Sequence, residues 1–184
     1  VNNGSAEVNW LSEALAHYSE DLVDGHATGG MSQIYETFLG APEIYSLTGT
    51  ADTNSGIRGA GYLFLRGLVK EFGENVVTKL TQTPLSGVEN LEKTTGKEFD
   101  ELFASHVTRL FLSGTDLSQE SKYNFSFEFF TEPLTGHRSL PMPVESRFWV
   151  NDRPLTGEVK PFAPVYLRLK GDSPSVSVNI EADL

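Results

Sequence analysis

The sequence predicts an α+β protein in which an N-terminal helical bundle is followed by a small antiparallel β-sandwich-like domain. Two observations lead to this prediction. Apolar residues recur three and four positions apart through the first two-thirds of the chain, as they do in amphipathic helices. Further along, apolar and polar residues alternate, and prolines and glycines separate the alternating segments. We therefore divide the chain into a helical lobe, residues 1–116, and a small β-domain, residues 117–184.

Six helices are expected in the helical lobe. The first follows from an apolar stripe formed by Leu11, Leu15, Tyr18 and Leu22, which lie three or four residues apart. Similar stripes, several of them ended by glycine or proline, predict the remaining helices. The six expected ranges are about 11–22, 31–39, 58–72, 74–82, 88–95 and 99–112. Most connections between them are short, which is typical of a helical bundle.

Three segments of the expected β-domain show a period of two. Phe125, Phe127 and Phe129 alternate with polar residues, and apolar residues alternate in the same way over 165–169 and 176–180. We expect about four to six antiparallel strands from this pattern. The three phenylalanines are interpreted as core residues and not as a sugar-binding surface.

Composition excludes several functional classes. The net charge is −11, which argues against a nucleic-acid partner, and no apolar run approaches the roughly 20 residues of a membrane-spanning helix. The chain has no cysteine, so disulfides and thiolate metal ligands are both excluded. Residues 1–57 contain eight acidic residues and no lysine or arginine. This distribution either favours a bound cation or serves only to keep the surface soluble.

Glu13, His17 and Glu20 form a candidate site on the first helix. At 100° per residue they lie within about 60° of one another, on the side opposite the apolar stripe. A carboxylate and an imidazole four residues apart can share a cation, although such pairs are also common on solvated helix faces. A glycosidase pairing of Glu13 with Glu20 is disfavoured, because two helical turns separate them by about 10 Å along the axis.

The segment around this site resembles a known metal-binding helix. The sequence W-L-S-E-A-L-A-H-Y at 10–18 is similar to the W-L-N-E-G/A-x-A helix of the gluzincins, the zinc metallopeptidases that include thermolysin. In that family an upstream H-E-x-x-H helix supplies two histidine ligands and the general base, and the glutamate of the later helix is the third zinc ligand. The resemblance implies that Glu13 is this metal ligand. It also implies that His17, one turn further on, orients a ligand without binding the metal.

The resemblance extends over roughly residues 5–114. The segments at 57–73 and 95–103 resemble the helices that follow the ligand helix in bacterial exported, hyicolysin-like gluzincins. It implies that the chain is the C-terminal portion of a secreted or cell-envelope peptidase, supplying the third zinc ligand and part of the cleft for a peptide or protein substrate. The alternative is a peptidase-like module that has no catalytic activity and serves in binding or as a scaffold.

One departure from the family concerns the metal. No H-E-x-x-H occurs in the sequence, whose four histidines are His17, His26, His106 and His137. We expect that motif, and any signal segment, to precede Val1 in the intact parent. We accordingly expect zinc in the parent, and neither tight zinc binding nor proteolysis in this fragment alone.

A second departure concerns the group that would stabilise an oxyanion. The resemblance implies a tyrosine at position 56, where this chain has Gly56. Tyr62 is our candidate for a substitute donor and catalytic residue, although its place off the apolar stripe is equally typical of a surface tyrosine. Tyr45 in the loop at 40–56 and His26 are further candidates. His106 is expected to pack within the bundle or to be exposed.

Overall fold

Six α-helices make up most of the computed structural model, which describes residues 6–24, 29–52, 54–113, 117–123, 125, 147–150 and 157–170. In chain order the helices are α1 Asn9–Asp24, α2 Gly29–Gly40, α3 Ser55–Phe72, α4 Asn75–Gln82, α5 Gly87–Thr95 and α6 Phe99–Leu112. Each coincides with one helix expected from the sequence, and α6 has the expected bounds. None of the described helices is long and apolar enough to cross a membrane.

α3 lies at the centre of the bundle, with α1 and α2 packed closely against it. Two glycines permit this approach. A Cβ at Gly59 would lie 2.1 Å from the carbonyl oxygen of Ile34 in α2, and a Cβ at Gly61 would lie 3.2 Å from the Cβ of Ala14 in α1. Because neighbours cover α3 on several sides, the four side chains at 62–65 are fully buried. The buried surface of α3 is thus wider than the single apolar stripe that the sequence predicts for this helix.

An aromatic core joins α1, α3 and α6. The ring centroids of Trp10 and Phe64 are 6.2 Å apart, those of Trp10 and Phe99 are 6.1 Å apart, and those of Phe64 and Phe99 are 6.0 Å apart. Tilted and edge-to-face arrangements at these distances are favourable. All three side chains are buried, and burial of a large apolar side chain contributes about 1.5–3 kcal/mol to folding. This cluster fixes the relative positions of the three helices.

Glu7 fixes the chain just before α1. Its Oε1 accepts a hydrogen bond of 2.6 Å from Gly87 N, and its Oε2 accepts one of 2.9 Å from Asn90 Nδ2. Gly87 opens α5, where the first backbone N–H groups have no partner within the helix. A carboxylate at this position is also favoured by the helix dipole. Glu7 therefore links the start of α1 to the start of α5.

A buried ion pair ties α6 to α3. Arg109 is 1% exposed, and its NH2 atom lies 2.8 Å from Glu71 Oε2. Its Nε donates to the carbonyl oxygen of Lys122. Gly67 leaves room for the guanidinium, since a Cβ there would lie 2.3 Å from NH1. Burial lowers the pKa of Arg109 from its usual value, and the Glu71 carboxylate opposes this effect.

The predicted β-sandwich-like domain, and with it the α+β class, is wrong. Helix accounts for 67% of the described residues. The two strands among these residues, β1 Arg147–Val150 and β2 Leu167–Lys170, pair in parallel and not antiparallel. Phe125 belongs to the helical core instead, where its N–H donates to Ser113 Oγ. Short alternating runs thus do not require an antiparallel sheet. Phe127, Phe129 and the segment 176–180 lie outside the described residues.

Residues 160–166, here called the C-terminal segment, pack against the helices. The carbonyl oxygen of Phe162 accepts a hydrogen bond of 2.9 Å from Leu47 N. The Phe162 ring centroid lies 4.8 Å from that of Phe99 and 5.4 Å from that of Phe103. Tyr166 donates a hydrogen bond of 2.8 Å to the carbonyl oxygen of Val107. Residues 160–166 therefore contribute to the helical core, and the division at residue 116 stays a prediction.

Candidate functional site

One edge of α1 carries the polar residues of the candidate site. This polar edge consists of Asn9, Glu13, His17 and Glu20, which follow one another at spacings of four, four and three. Trp10, Leu11, Ala14 and Tyr18 of the same helix are buried in the bundle, whereas Leu22 of the predicted apolar stripe is 64% exposed. The periodicity of α1 therefore brings the three sequence-predicted polar residues to one face, as expected. The side chain of Glu13 is 28% exposed and that of His17 is 12% exposed.

His17 lies between the two glutamates of this edge. Its Nδ1 is 2.8 Å from Glu20 Oε2, which is a hydrogen-bond distance. Its Nε2 is 3.9 Å from Glu13 Oε2, which is too long for a hydrogen bond, and Nε2 has no hydrogen-bond partner within the described residues. Glu20 therefore orients the imidazole, and the free edge of the ring faces Glu13.

Arg58, at the start of α3, completes the site from across the helix interface. Its Nε lies 3.3 Å from Glu13 Oε2. The same guanidinium donates to two backbone carbonyls of the preceding loop, from Nε to Ala51 O at 2.9 Å and from NH2 to Asp52 O. The Asn9 side chain donates in turn to the Asp52 carboxylate. These contacts join the polar edge of α1 to the loop before α3.

Sequence reasoning did not identify Arg58. One signal pointed to it, because Arg58 is the first basic residue after a stretch of 57 residues without lysine or arginine. A cation at the border of such an acidic stretch is a natural partner for one of its carboxylates. The choice of Glu13 among eight acidic residues could not be read from the sequence, since it depends on how α1 and α3 pack.

Neither carboxylate oxygen of Glu13 makes a hydrogen bond within the described residues. Both ion-pair distances, to Arg58 and to His17, are measured to Oε2. The nearer contact, from Arg58 Nε, is not a hydrogen bond, because this nitrogen gives its single hydrogen to Ala51 O. A partly exposed carboxylate of this kind can accept from a hydrogen-bond donor or bind a cation. Glu13 therefore has the chemistry of a single metal ligand or of an acceptor for a bound peptide.

The described residues do not build a complete metal site. They contain no group of three or more histidine, aspartate or glutamate side chains that could hold a metal ion. A catalytic zinc needs three protein ligands and an open position for water. Glu13 fits the role of one such ligand, and the remaining ligands would have to come from residues beyond those described.

Tyr62 lies in the bundle core and not at the polar edge. Its side chain is fully buried, and its ring stacks on Tyr35 with centroids 6.4 Å apart. Burial raises the pKa of Tyr62, and the nearby Asp21 carboxylate adds to this effect while Arg66 opposes it. Asp21 lies two turns along α1 from Glu13, a rise of about 12 Å. The structure thus does not bring Tyr62 to Glu13, and its role as an oxyanion donor stays a prediction.

Asp21 and Arg66 form a second link between α1 and α3. Arg66 NH1 lies 2.8 Å from Asp21 Oδ2, and the Asp21 side chain is 1% exposed. The Arg66 guanidinium carbon also lies 6.0 Å from the centre of the Tyr18 ring. Like the ion pair of Glu13 with Arg58, this pair joins α1 to α3, but its carboxylate is more buried and its distance is shorter.

Position 56 faces away from the candidate site. A Cβ at Gly56 would lie 2.4 Å from atoms Cε1 and Cζ of Tyr45, so the Tyr45 ring covers this position. Arg58, which faces Glu13, is two residues further and therefore about 200° around the helix. A tyrosine at 56 would not project toward Glu13, and Tyr45 packs on that same far side of α3. His26 lies outside the described residues.

Comparisons with protein-family models, curated proteins and solved structures give no match to this chain. The resemblance to the gluzincins therefore depends on the sequence motifs around Glu13 and in the bundle. The geometry of the polar edge is a separate observation, made on the structure and not on those motifs.

Proposed function

We propose that this chain is the C-terminal portion of a secreted or cell-envelope zinc peptidase of bacteria. In this proposal Glu13 is the third zinc ligand, and the polar edge of α1 forms part of the cleft for a peptide or protein substrate. The observation that carries the proposal is the placement of Glu13, a 28% exposed carboxylate on the polar edge of α1 that makes no hydrogen bond within the described residues. Zinc bound there would polarise a peptide carbonyl and activate a water.

The neighbours of Glu13 support this role. The His17 ring is held by Glu20 with its second nitrogen facing the Glu13 carboxylate. From this place the ring would orient Glu13 if Nε2 moved within hydrogen-bond distance, closer than the 3.9 Å of this structure. The eight acidic residues of 1–57 add a negative potential that favours a bound cation.

A non-catalytic peptidase-like module for binding or scaffolding is the second candidate. It is favoured by the ion pair of Glu13 with Arg58, which places a positive charge from the chain itself beside the carboxylate. In such a module the polar edge would be a surface for hydrogen bonding to a partner. The two candidates differ in whether zinc binds at Glu13, which a direct measurement decides.

The zinc content of the full-length parent tests the proposal. We expect one zinc per molecule and cleavage of casein, and we expect Glu13→Ala to abolish both because a site with two protein ligands binds zinc weakly. Glu101→Ala is the matched control, since it removes an exposed carboxylate of α6, which pairs with Lys97 just before that helix. It should leave zinc content and cleavage unchanged.

Three outcomes would contradict the proposal. An open reading frame without H-E-x-x-H upstream of Val1 would rule out a gluzincin site. Full zinc occupancy and casein cleavage in the Glu13→Ala protein would show that Glu13 is not a ligand. A parent that contains no zinc but binds a protein partner through α1 would favour the non-catalytic module.

A further inference from the structure

One stripe of α6 lies beneath the C-terminal segment. Its members, which follow one another at spacings of four along the helix, are Phe99, Phe103, Val107 and Phe111. The Phe162 ring packs against the first two of them. Tyr166 contacts the last two, since its ring stacks on that of Phe111 with centroids 5.7 Å apart and its hydroxyl donates to the carbonyl oxygen of Val107. The segment therefore follows this stripe, here called the α6 stripe, along the helix.

The two aromatic side chains of the segment are spaced to match the α6 stripe. Phe99 and Val107 are separated by eight residues of helix, a rise of about 12 Å. Four residues of extended chain, the separation of Phe162 from Tyr166, cover about 13 Å. Pro164 between them is buried and favours an extended backbone, because it fixes its own φ and keeps the preceding residue out of the helical region. The stripe thus fits the pattern aromatic–x–Pro–x–aromatic.

The side-chain hydrogen bonds at the start of the segment lie at the surface. Ser46 Oγ donates a hydrogen bond of 2.7 Å to the carbonyl oxygen of Pro161, and Lys160 Nζ donates one of 2.9 Å to that of Ile44, both at exposed positions. Contacts of this kind open easily, because water replaces them. Phe162 also adopts φ 52°, a backbone conformation that costs energy for a residue with a side chain. The segment is therefore held mainly by its apolar side chains, against a local backbone cost.

We propose that the α6 stripe and the adjoining turn at 44–47 form a groove for an extended peptide, in which the C-terminal segment is the resident ligand. The partner that fits is a segment of a different protein with the pattern aromatic–x–Pro–x–aromatic. Extended peptides are commonly bound in this way, through alternate side chains and through hydrogen bonds to their backbone. This binding site is separate from the polar edge of α1 and requires neither zinc nor Glu13.

A different protein is a better occupant than a second copy of this chain. A second copy offers the same sequence, whereas the resident segment is tethered to its own groove at an effective concentration on the order of millimolar. A partner peptide that lacks the turn closed by Ala163 N and the carbonyl oxygen of Lys160 needs no left-handed residue and avoids its cost. The resident segment lowers the apparent affinity for such a partner, because the groove is free for only a fraction of the time.

Binding of a fluorescent peptide with the sequence of residues 158–168 to the 184-residue chain tests the proposal, measured by fluorescence anisotropy. Phe162→Ala removes the main anchor of the resident segment, so the peptide should bind this variant at least about 10-fold more tightly than wild type. Lys160→Ala removes one exposed attachment of the segment and no part of the groove. We expect it to tighten peptide binding about 2- to 5-fold.

Two controls accompany this experiment. Val159→Ala changes an exposed side chain just before the segment and should leave peptide affinity unchanged. A peptide that itself carries Phe162→Ala should bind none of the proteins. If the Phe162→Ala protein loses its helical signal at 222 nm, the comparison of Lys160→Ala with wild type decides alone.

Three results would overturn the proposal. Equal peptide affinity for wild type, Lys160→Ala and Phe162→Ala would show that the peptide binds elsewhere. No binding to a variant that keeps its helical signal would show that the groove does not accept a peptide from outside. A wild-type dimer that the peptide dissociates would assign the groove to a second copy, and the choice of a different protein as partner would be wrong.

Discussion

At the scale of single residues, His106 is an unusual member of the core. Its ring is 2% exposed and lies against the rings of Phe38 and Phe64, with centroids 6.5 and 5.4 Å away. Neither ring nitrogen has a hydrogen-bond partner within the described residues. Burial lowers the pKa of His106 to about 3, and the positive charge of Arg109 contributes to this. The neutral imidazole therefore behaves as an aromatic core residue.

This burial predicts a loss of stability in mild acid. In the unfolded chain the histidine titrates near its ordinary pKa of about 6.5. Between pH 6.5 and 3 the unfolded state therefore binds a proton that the folded state does not, and folding becomes less favourable by up to about 1.4 kcal/mol per pH unit. His106→Phe removes this contribution. Urea unfolding at pH 7.5 and 5.0 should show a fall in stability that is about 1–2 kcal/mol smaller in His106→Phe than in wild type.

Comparison of the two proteins cancels the titration of the carboxylates, which are common to both. Equal losses of stability on acidification would show that His106 is protonated without cost, and therefore that a polar partner reaches it. The sequence alone left open whether His106 packs or is exposed. It could not decide, because the answer depends on Phe38, which comes from a different helix far away in the chain.

At the scale of elements, the close contact of α2 with α3 depends on Gly59. A Cβ at this position would lie 2.1 Å from the backbone oxygen of Ile34 and 2.6 Å from its carbonyl carbon. These are backbone atoms, so no side-chain rotation can relieve the overlap. Gly59→Ala should therefore force the two helices apart and destabilise the protein by about 1–3 kcal/mol in urea unfolding.

Gly40→Ala is the control for this prediction. Gly40 ends α2, and no atom lies within 4 Å of the position its Cβ would take. Alanine has the higher helix propensity, so this variant should be as stable as wild type or slightly more stable. If Gly59→Ala were as stable as Gly40→Ala, α2 and α3 could not be as close as the structure places them.

The helices themselves were predictable because their signals are local. Apolar spacing and terminal glycines place α5 and α6 within one residue of their observed bounds. The same reasoning grouped Glu13, His17 and Glu20 on one face. It could not show that Tyr62 is buried. An apolar stripe predicts burial of one face of a helix, whereas neighbouring helices cover several faces of α3. Nor could it pair Glu13 with Arg58. That contact joins two different helices, and a contact between helices produces no periodic pattern in the sequence.

At the scale of the whole molecule, the C-terminal segment is an anchor for the helices. Phe162 sits at φ 52°, a left-handed backbone conformation that is uncommon for a residue with a side chain. Its ring packs against Phe99 and Phe103 on α6, and its carbonyl oxygen accepts from Leu47 N. The favourable ring contacts offset the cost of that conformation. The prediction of a β-domain was wrong for this segment because prolines and alternating apolar residues are also compatible with an extended segment that packs on helices.

Removing the Phe162 ring should therefore destabilise the helical lobe and not merely loosen the segment. We expect Phe162→Ala to lower the free energy of unfolding by about 2–4 kcal/mol, as for other large-to-small changes in a core. Far-UV circular dichroism at 222 nm reports the helices, so its urea midpoint is the measurement. Val159→Ala is the control, because Val159 is 67% exposed. An unchanged helical midpoint in Phe162→Ala would mean that the segment and the helices unfold separately.

The attachment of the C-terminal segment also affects how the chain reaches its final form. The hydrogen bond from Ser46 Oγ to the carbonyl oxygen of Pro161 spans 115 residues of sequence. Contacts of such long range close late and slow folding, whereas single helices form quickly. During synthesis, α1 to α6 leave the ribosome before the segment that covers Phe99 and Phe103. Until that segment is synthesised, part of the aromatic core of the nascent helical lobe stays exposed to solvent. At this stage chaperone binding or aggregation would compete with folding.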